Sequence, residues 1–317
     1  MKILTNEQIR ANLNIPTVIS QIEKGFVAYS KGETTIPPVG HLPFRTGDCH
    51  IKYGHITSDP FFVIKIATGF NTNRAKGLPT CNGMMIIMDA TTGLPVALLQ
   101  DEGMLTDIRT AIAGFIAAKY LGPDHIEQIG IIGSGGQARL QLEYLTHLTD
   151  CRKVKVWNRN PETANAFAME MKARGFDVEL AEDVETLVRQ CNLIVTTTPS
   201  NTPLIQADWI QMGTHITAVG ADAPGKQEID ENIVKMADIV SVDSYSQCMD
   251  HGEIAKAFAN GLVKREELIE LGEIIGNGVK ARTDERQITL ADLTGVAVQD
   301  IKIALSVYES YMHQSKE

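Results

Sequence analysis

The sequence has no apolar run of the length that a membrane-spanning helix needs, and its N-terminus has no signal-peptide pattern. Its net charge of −10 disfavours nucleic acids and anionic membranes as partners. The five cysteines are scattered without C-x-x-C spacing, and no group of histidines and cysteines has metal-ligand spacing. These absences predict a cytoplasmic enzyme without a metal, and a length of 317 residues predicts two domains.

What the sequence does contain is a glycine-rich turn between a strand and a helix. The apolar run 129–132 leads into the pattern G-x-G-x-x-A, and a helix-like segment follows. In this fingerprint Gly133 permits the tight turn, Gly135 lets the backbone approach a pyrophosphate, and Ala138 packs on the strand. The alternative is an ordinary glycine-rich turn, but the flanking strand and helix favour dinucleotide binding. The predicted cofactor residues of the turn are Gly133, Ser134, Gly135, Gly136, Gln137 and Ala138.

Strand-like and helix-like segments alternate after this turn, which predicts an α/β fold with a doubly wound parallel sheet of the Rossmann type. Ligands of such sheets bind at the carboxyl ends of the strands, so the residues there are candidate cofactor contacts. Each threonine among them could equally satisfy a hydrogen bond of its own turn. Strands are predicted at 129–132, 153–159, 191–200, 214–222, 238–243 and 287–292. The candidates at their ends are Thr196, Thr197, Thr198, Val219, Gly220 and Ala221.

The end of the second strand bears on the choice of cofactor. NAD-binding folds usually have an acidic residue there, whereas NADP-binding folds use an arginine for the 2′-phosphate. This chain has Asn158, Arg159 and Asn160 at that position and no carboxylate. The sequence therefore predicts NAD(P) with a slight preference for NADP(H), although Arg159 could also stack on the adenine or lie in solvent.

A different pattern precedes the Rossmann-like region. Helices are predicted near 7–13 and 17–30, and strands at 50–55, 61–68, 83–89 and 94–100 are separated by short turns, which favours an antiparallel sheet. A small-residue helix at 106–121 ends at Gly122-Pro123, where we place a domain boundary. A last helix, at 295–313, has an apolar face suited to packing or to a subunit interface.

Several segments resemble the ornithine cyclodeaminase/μ-crystallin family, which includes alanine dehydrogenases and imine reductases. The most specific are TDIRTA at 106–111 and GADAPGKQE at 220–228, and GLPT at 77–80, TTTPS at 196–200, GE at 252–253 and DLTGVAVQD at 292–300 also match. The resemblance implies a Rossmann domain at 119–294. It also implies an α+β domain, formed by residues 1–118 with 295–317, that binds substrate and makes a homodimer.

The resemblance also implies roles for single residues. Arg109 matches the arginine that binds the substrate carboxylate, and Lys65 matches a lysine that contacts this carboxylate and the reacting nitrogen. A surface position on the helix and an outward position on the strand are the respective alternatives. Asp222 matches the acid/base, although an Asx turn would also place an aspartate there. Thr80 and Arg109 match residues near both substrate and cofactor, and Leu293 replaces a small polar residue near the nicotinamide.

One departure from the family concerns the substrate side chain. Ornithine cyclodeaminases have an acidic residue for the second ammonium thirteen positions before the lysine, and this chain has Lys52 there. A lysine repels a second ammonium, so ornithine is disfavoured. Lys52, with His50 or Arg45 nearby, suits a substrate with more than one carboxylate. A shift in strand register by one residue would instead direct Lys52 to solvent.

The sequence therefore predicts an NAD(P)-dependent imine reductase or amino acid dehydrogenase acting at the α-carbon of a small acidic imino or amino acid. Asp222, Lys65 and Arg109 are the expected catalytic residues, and the cofactor provides the redox chemistry. One alternative is a cyclodeaminase-type lyase that releases ammonia and uses NAD(P) catalytically. The other is a non-catalytic NADP-binding protein, which the resemblance to μ-crystallin suggests.

Overall fold

The computed structural model describes residues 1–57, 59–278 and 280–314. The chain divides into two compact units, one formed by Met1–Arg109 with Val296–Glu317 and the other by Thr110–Gly295. The first division, after Arg109, lies inside the helix Met104–Leu121. The boundary predicted at 118/119 lies near the end of that helix, because the turn at Gly122-Pro123 marks where the helix stops and not where the two units divide.

The helices and strands are numbered in chain order. They are β1 (Lys2–Leu4), α1 (Asn6–Ala11), α2 (Ile15–Ser30), β2 (Thr34–Thr35), β3 (Gly40–Phe44), β4 (Gly47–Ile56), β5 (Phe61–Gly69), β6 (Cys81–Asp89), β7 (Pro95–Leu99), α3 (Met104–Leu121), β8 (Ile129–Ile132), α4 (Gly136–Leu145), β9 (Lys153–Trp157), α5 (Pro161–Ala173), β10 (Asp177–Leu180), α6 (Val184–Gln190), β11 (Leu193–Thr196), β12 (His215–Ala218), α7 (Glu231–Met236), β13 (Ile239–Val242), α8 (Tyr245–His251), α9 (Ala255–Ala259), β14 (Leu268–Glu270), α10 (Leu271–Asn277), β15 (Thr289–Asp292) and α11 (Ala297–Gln314). Among the described residues, no helix is both long and apolar enough to cross a membrane.

The first unit is built on a seven-stranded sheet in the order β1-β7-β6-β5-β4-β2, with β3 paired to β4. All of its pairs are antiparallel except that of β1 with β7, so the sequence-based expectation of an antiparallel sheet is confirmed for the strands that were predicted. Helix α11 packs over β4, β5 and β6. Val63, Met85 and Ile87 share the sheet face of Lys65, which contacts Asp300 of this helix, and all three are fully buried.

The other face of this sheet is also apolar but remains partly exposed. Tyr53, Ile64, Ile86, Leu98 and Ile3 are neighbours in one row across five strands. The side chains at the two ends of the row, Tyr53 and Ile3, are 38% and 53% exposed, and those between them are half-buried. An apolar face of this kind is suited to association with another apolar surface.

The second unit contains an eight-stranded sheet in the order β10-β9-β8-β11-β12-β15-β13-β14. Every pair in it is parallel, which confirms the predicted Rossmann-type α/β fold. The strand order reverses between β8 and β11, and ligands of doubly wound sheets bind at this switch point. Sequence patterns missed the edge strands β10 and β14 because these are short and carry charged residues.

Candidate cofactor and substrate sites

The glycine turn after β8 has the backbone that the fingerprint requires. Gly133 has a φ of +111°, and a Cβ there would lie 2.5 Å from the Thr197 hydroxyl oxygen, so a side chain is excluded. Gly135 caps α4 without a side-chain hydrogen bond, and a Cβ on Gly135 or Gly136 would meet nothing within 4 Å. The first N–H groups of α4 therefore face open space, where a phosphate group can approach them.

Hydrogen bonds connect this turn to the end of β9. The Asn158 amide donates to the Ser134 hydroxyl (2.8 Å) and also to the Thr163 hydroxyl. Arg139 donates to the carbonyl oxygens of Ser134 (2.5 Å) and Gly135 (3.0 Å), which orients the turn from its other side.

Arg159 and Asn160, which follow Asn158, differ in their surroundings. Arg159 is exposed. The Asn160 side chain accepts a hydrogen bond from the backbone N–H of Glu162 (2.9 Å) and caps α5, a role that sequence reasoning did not foresee. No carboxylate stands at positions 158–160, as the sequence indicated.

The carboxyl ends of β11 and β12 are held together by one buried carboxylate. The two Glu228 oxygens accept the backbone N–H groups of Thr198 (2.6 Å) and Gly220 (2.9 Å). A Cβ on Gly220 would lie 2.2 Å from the Thr198 carbonyl oxygen, so glycine is required for this close approach. Thr197 donates its hydroxyl to the carbonyl of Ile132 (3.2 Å), which links β11 to β8 at the switch point. The predicted ends of the two strands thus lie together.

A second acid supports the first. Glu253 accepts the backbone N–H groups of Glu228 (2.7 Å) and Ile229 (3.0 Å) through its two oxygens. Burial raises the pKa of Glu228 to about 7, and burial together with the Glu228 charge raises the pKa of Glu253 well above its ordinary value. Sequence reasoning assigned neither acid to the site, although both belong to motifs that it singled out. The structure gives the Gly252-Glu253 motif a physical role.

The remaining predicted residues of this unit lie beyond the strand ends. Asp222 follows β12 in a loop, its side chain is 54% exposed, and its carboxylate is paired with Lys226. Val219 and Ala221, on either side of Gly220, are buried. Leu293 directly follows β15, is buried, and donates its backbone N–H to Ala218 (3.0 Å).

In the first unit Lys65 and Arg109 meet at one carboxylate. The Lys65 ammonium lies 3.0 Å from Asp300 Oδ2, and Arg109 Nε lies 2.9 Å from Asp300 Oδ1. Arg109 also donates to the Gln299 side-chain oxygen (3.1 Å). All four side chains are buried, so neither the outward position considered for Lys65 nor the surface position considered for Arg109 is correct.

The charges of this cluster alter each other's protonation. Burial lowers the pKa of Lys65 to about 7, and the Arg109 and Lys52 cations act in the same direction while Asp300 opposes them. Burial alone would raise the pKa of Asp300, but the Arg109 and Lys65 cations hold it below its ordinary value. A lysine with this pKa can carry or release a proton near neutral pH.

The strand register settles the position of Lys52. Lys52 in β4 is the direct partner of Lys65 in β5, so both side chains project from the same face of the sheet. His50 lies two residues along β4 and shares this face. Arg45 is exposed in the turn between β3 and β4. Thr80 precedes β6, and its carbonyl accepts the backbone N–H of Phe70 (2.7 Å).

Three comparisons place this arrangement among known proteins. The model of the ornithine cyclodeaminase/mu-crystallin family matches residues 1–315. Alanine dehydrogenase of Archaeoglobus fulgidus is 36% identical over 316 residues, which is 99% of this chain and 96% of that protein. The structure of an archaeal alanine dehydrogenase dimer with bound NAD has a TM-score of 0.90 at 35% identity and covers 99% of this chain and 97% of its own. The iminosuccinate reductase of Paracoccus denitrificans in complex with NAD⁺ has a TM-score of 0.87 at 28% identity, with coverage of 99% and 97%.

Proposed function

Because the chain belongs to the ornithine cyclodeaminase/mu-crystallin family, we propose that it is an NAD(P)-dependent imine reductase or amino acid dehydrogenase for a small acidic substrate. One observation carries the acidic part of this proposal: Lys52 and Lys65 face the same side of the sheet from directly opposed positions. Relatives that share the fold include an alanine dehydrogenase and an iminosuccinate reductase.

The glycine turn and the strand ends fit a nicotinamide dinucleotide. The open backbone at Gly135 and Gly136 accommodates a pyrophosphate, and the clamp of Glu228 on Thr198 and Gly220 fixes the strand ends beside it. When bound, the nicotinamide supplies the hydride chemistry. We propose a slight preference for NADP(H), since Arg159 is exposed and can bind a 2′-phosphate, and positions 158–160 contain no carboxylate that would repel this phosphate.

Three cations are assigned to the substrate carboxylates. Arg109 and Lys65 bind the α-carboxylate of the substrate. This carboxylate then forms ion pairs with the two cations that Asp300 contacts in the structure. Lys52 binds the carboxylate of the substrate side chain. An ammonium in the same place would meet two lysines, which disfavours diamino acids such as ornithine.

Proton transfer to the reacting nitrogen is assigned to Asp222. Its carboxylate is half exposed after the carboxyl end of β12, and Lys226 holds it through an ion pair between positions four residues apart. A carboxylate in this position can exchange a proton with an amine or orient a water molecule that attacks an imine.

We also propose a homodimer in a reducing compartment. The half-exposed apolar row from Tyr53 to Ile3 offers a surface for a second copy of the chain, and the archaeal alanine dehydrogenase structure is a dimer. The five cysteines carry free thiols, which supports a reducing compartment such as the cytoplasm.

The test is an NADPH and NADH oxidation assay with ammonia and a panel of 2-oxo acids that includes oxaloacetate, pyruvate and glyoxylate. We expect the highest kcat/KM with oxaloacetate and ammonia, and no oxidation when ammonia is omitted. Release of ammonia from an amino acid, with no net change in the amount of NADPH or NADH, would establish the cyclodeaminase-type lyase instead. Cofactor binding without either reaction would indicate a binding protein.

A further inference from the structure

The hairpin formed by β3 and β4 brings three potential metal ligands together. His41 in β3 is the direct partner of His50 in β4, and Asp48 lies two residues before His50 on the same face. The nitrogen Nε2 of His50 is 3.2 Å from Asp48 Oδ2, and that of His41 is 3.8 Å from the same oxygen. The two imidazole rings are stacked at a tilt of 35°, with centroids 4.7 Å apart.

These separations match the donor spacing of a four-coordinate metal. Zinc bonds of about 2.0–2.1 Å to nitrogen and oxygen, meeting at a tetrahedral angle, place donor atoms about 3.3 Å apart. The three donor atoms lie within 4.8 Å of one another, so small side-chain rotations bring all of them to that distance. Two imidazoles and one carboxylate are a donor set typical of zinc and of similar transition metals.

We propose that His41, Asp48 and His50 form a binding site for a divalent transition metal of the zinc type. Three protein ligands leave a fourth position for water, and the partly exposed hairpin gives the ion access from solvent. Asp48 supplies the negative charge of this site, and Lys52 lies on the same face two residues beyond His50.

Sequence spacing did not indicate this site, and we expected no metal. His41 is separated from Asp48 by the hairpin turn, and the short D-x-H pattern at 48–50 is common without a metal. Only the strand register shows that the imidazole of His41 joins the other two groups.

The test uses the full chain without an affinity tag, freed of metal by a chelator and titrated with Co²⁺. We expect visible absorption bands of four-coordinate Co²⁺, their displacement by Zn²⁺, and a rise in Tm with Zn²⁺. His41→Ala and Asp48→Asn should each weaken Co²⁺ binding by more than about 10-fold, since even residues that only orient metal ligands contribute that much.

Two further variants serve as controls. His55→Ala removes another histidine of β4, from the opposite face, where it is bonded to the Asp59 carbonyl (2.8 Å). Cys81→Ser removes an exposed thiol near Asp48. Both should keep the bands. Absence of bands in the unmodified protein, their persistence in His41→Ala, or their loss in Cys81→Ser would overturn the proposal.

Discussion

Lys52 and Lys65 are direct partners across the antiparallel pair of β4 and β5. Like charges in directly opposed positions of a sheet repel each other, and Arg109 is a further cation at the Asp300 carboxylate that Lys65 contacts. We expect an anion with two carboxylates to reduce the repulsion between these cations when it binds. The opposed pair of Lys52 and Lys65 therefore favours a substrate with two carboxylates.

Replacing Lys52 by glutamate should reverse the preference for acidic substrates. We expect kcat/KM for the oxaloacetate and ammonia reaction to fall by about 10- to 100-fold, because one charge-assisted contact of about 1.5–3 kcal/mol becomes repulsive. The pyruvate reaction should change far less. Initial rates with the two oxo acids measure the ratio of kcat/KM for oxaloacetate to kcat/KM for pyruvate.

Lys24→Glu, an exposed substitution of the same type in α2, is the matched control and should leave that ratio unchanged. An equal loss with both substrates in Lys52→Glu would show that Lys52 does not select the side-chain carboxylate.

Lys65 should make substrate capture dependent on pH. Its pKa is lowered to about 7 by burial and by its cationic neighbours, so the ammonium that binds a carboxylate is present below this pH and is lost above it. We expect kcat/KM for the acidic substrate to decline above pH 7 along a single-proton curve. A pH profile of kcat/KM measures the inflection.

Two variants test the origin of that inflection. Lys65→Arg keeps its charge at every pH used and should abolish the inflection. Asp300→Asn removes the anion that supports the Lys65 ammonium, so the inflection should move to lower pH. If the inflection stayed near pH 7 in both variants, another group would be responsible.

Sequence patterns predicted those parts of the sites that are formed by residues adjacent in the sequence. The G-x-G-x-x-A turn needs only adjacent residues, and Gly133 has the positive φ of the tight turn that the pattern predicts. The side of the sheet that Lys52 faces could not be decided, because a register shift of one residue reverses it.

Asp300 was missed because its partners are remote in the chain. It lies 235 residues from Lys65 and 191 from Arg109. The available signal was the pair Gln299-Asp300 at the start of a helix whose neighbouring residues are mostly apolar, because a buried charge requires a partner. Glu253 was missed for a similar reason, since its partners are backbone N–H groups that no sequence pattern identifies.

Asp222→Asn should separate cofactor binding from turnover. The substitution keeps the shape of the side chain but removes the proton acceptor, so we expect kcat to fall by about 10²- to 10⁴-fold. The Kd for NADPH, measured by fluorescence titration, should change little. Asp208→Asn replaces another exposed aspartate of the same unit and should retain kcat. Retained turnover in Asp222→Asn would refute the assigned role.

Arg159→Ala tests the choice between the two nicotinamide cofactors. If the exposed guanidinium binds the 2′-phosphate, kcat/KM for NADPH should fall by about 10-fold while the value for NADH stays constant. Arg189→Ala, on α6 of the same unit, is the control for a general loss of positive charge. An equal decrease with both cofactors would exclude recognition of the 2′-phosphate by Arg159.

Glu228→Gln should weaken the cofactor site and change how stability depends on pH. Glutamine has one acceptor oxygen for the two N–H groups of Thr198 and Gly220, so one buried donor loses its partner at a cost of about 1–3 kcal/mol. We expect a lower Tm and a higher Kd for the cofactor. An exposed substitution, Glu182→Gln, should change neither value.

The pH dependence follows from the pKa of Glu228, which burial raises to about 7 from an ordinary value of 4.5. Between these values the folded chain holds a proton that the unfolded chain has released, so this group's contribution to stability is complete below pH 4.5 and is lost as pH rises through 7. Glutamine does not titrate, and the free energy of unfolding of Glu228→Gln should therefore decline less between pH 5 and 8 than that of the unmodified protein. Urea unfolding at both pH values measures the difference. Equal declines would mean that Glu228 is ionised throughout and that its two hydrogen bonds outweigh its burial.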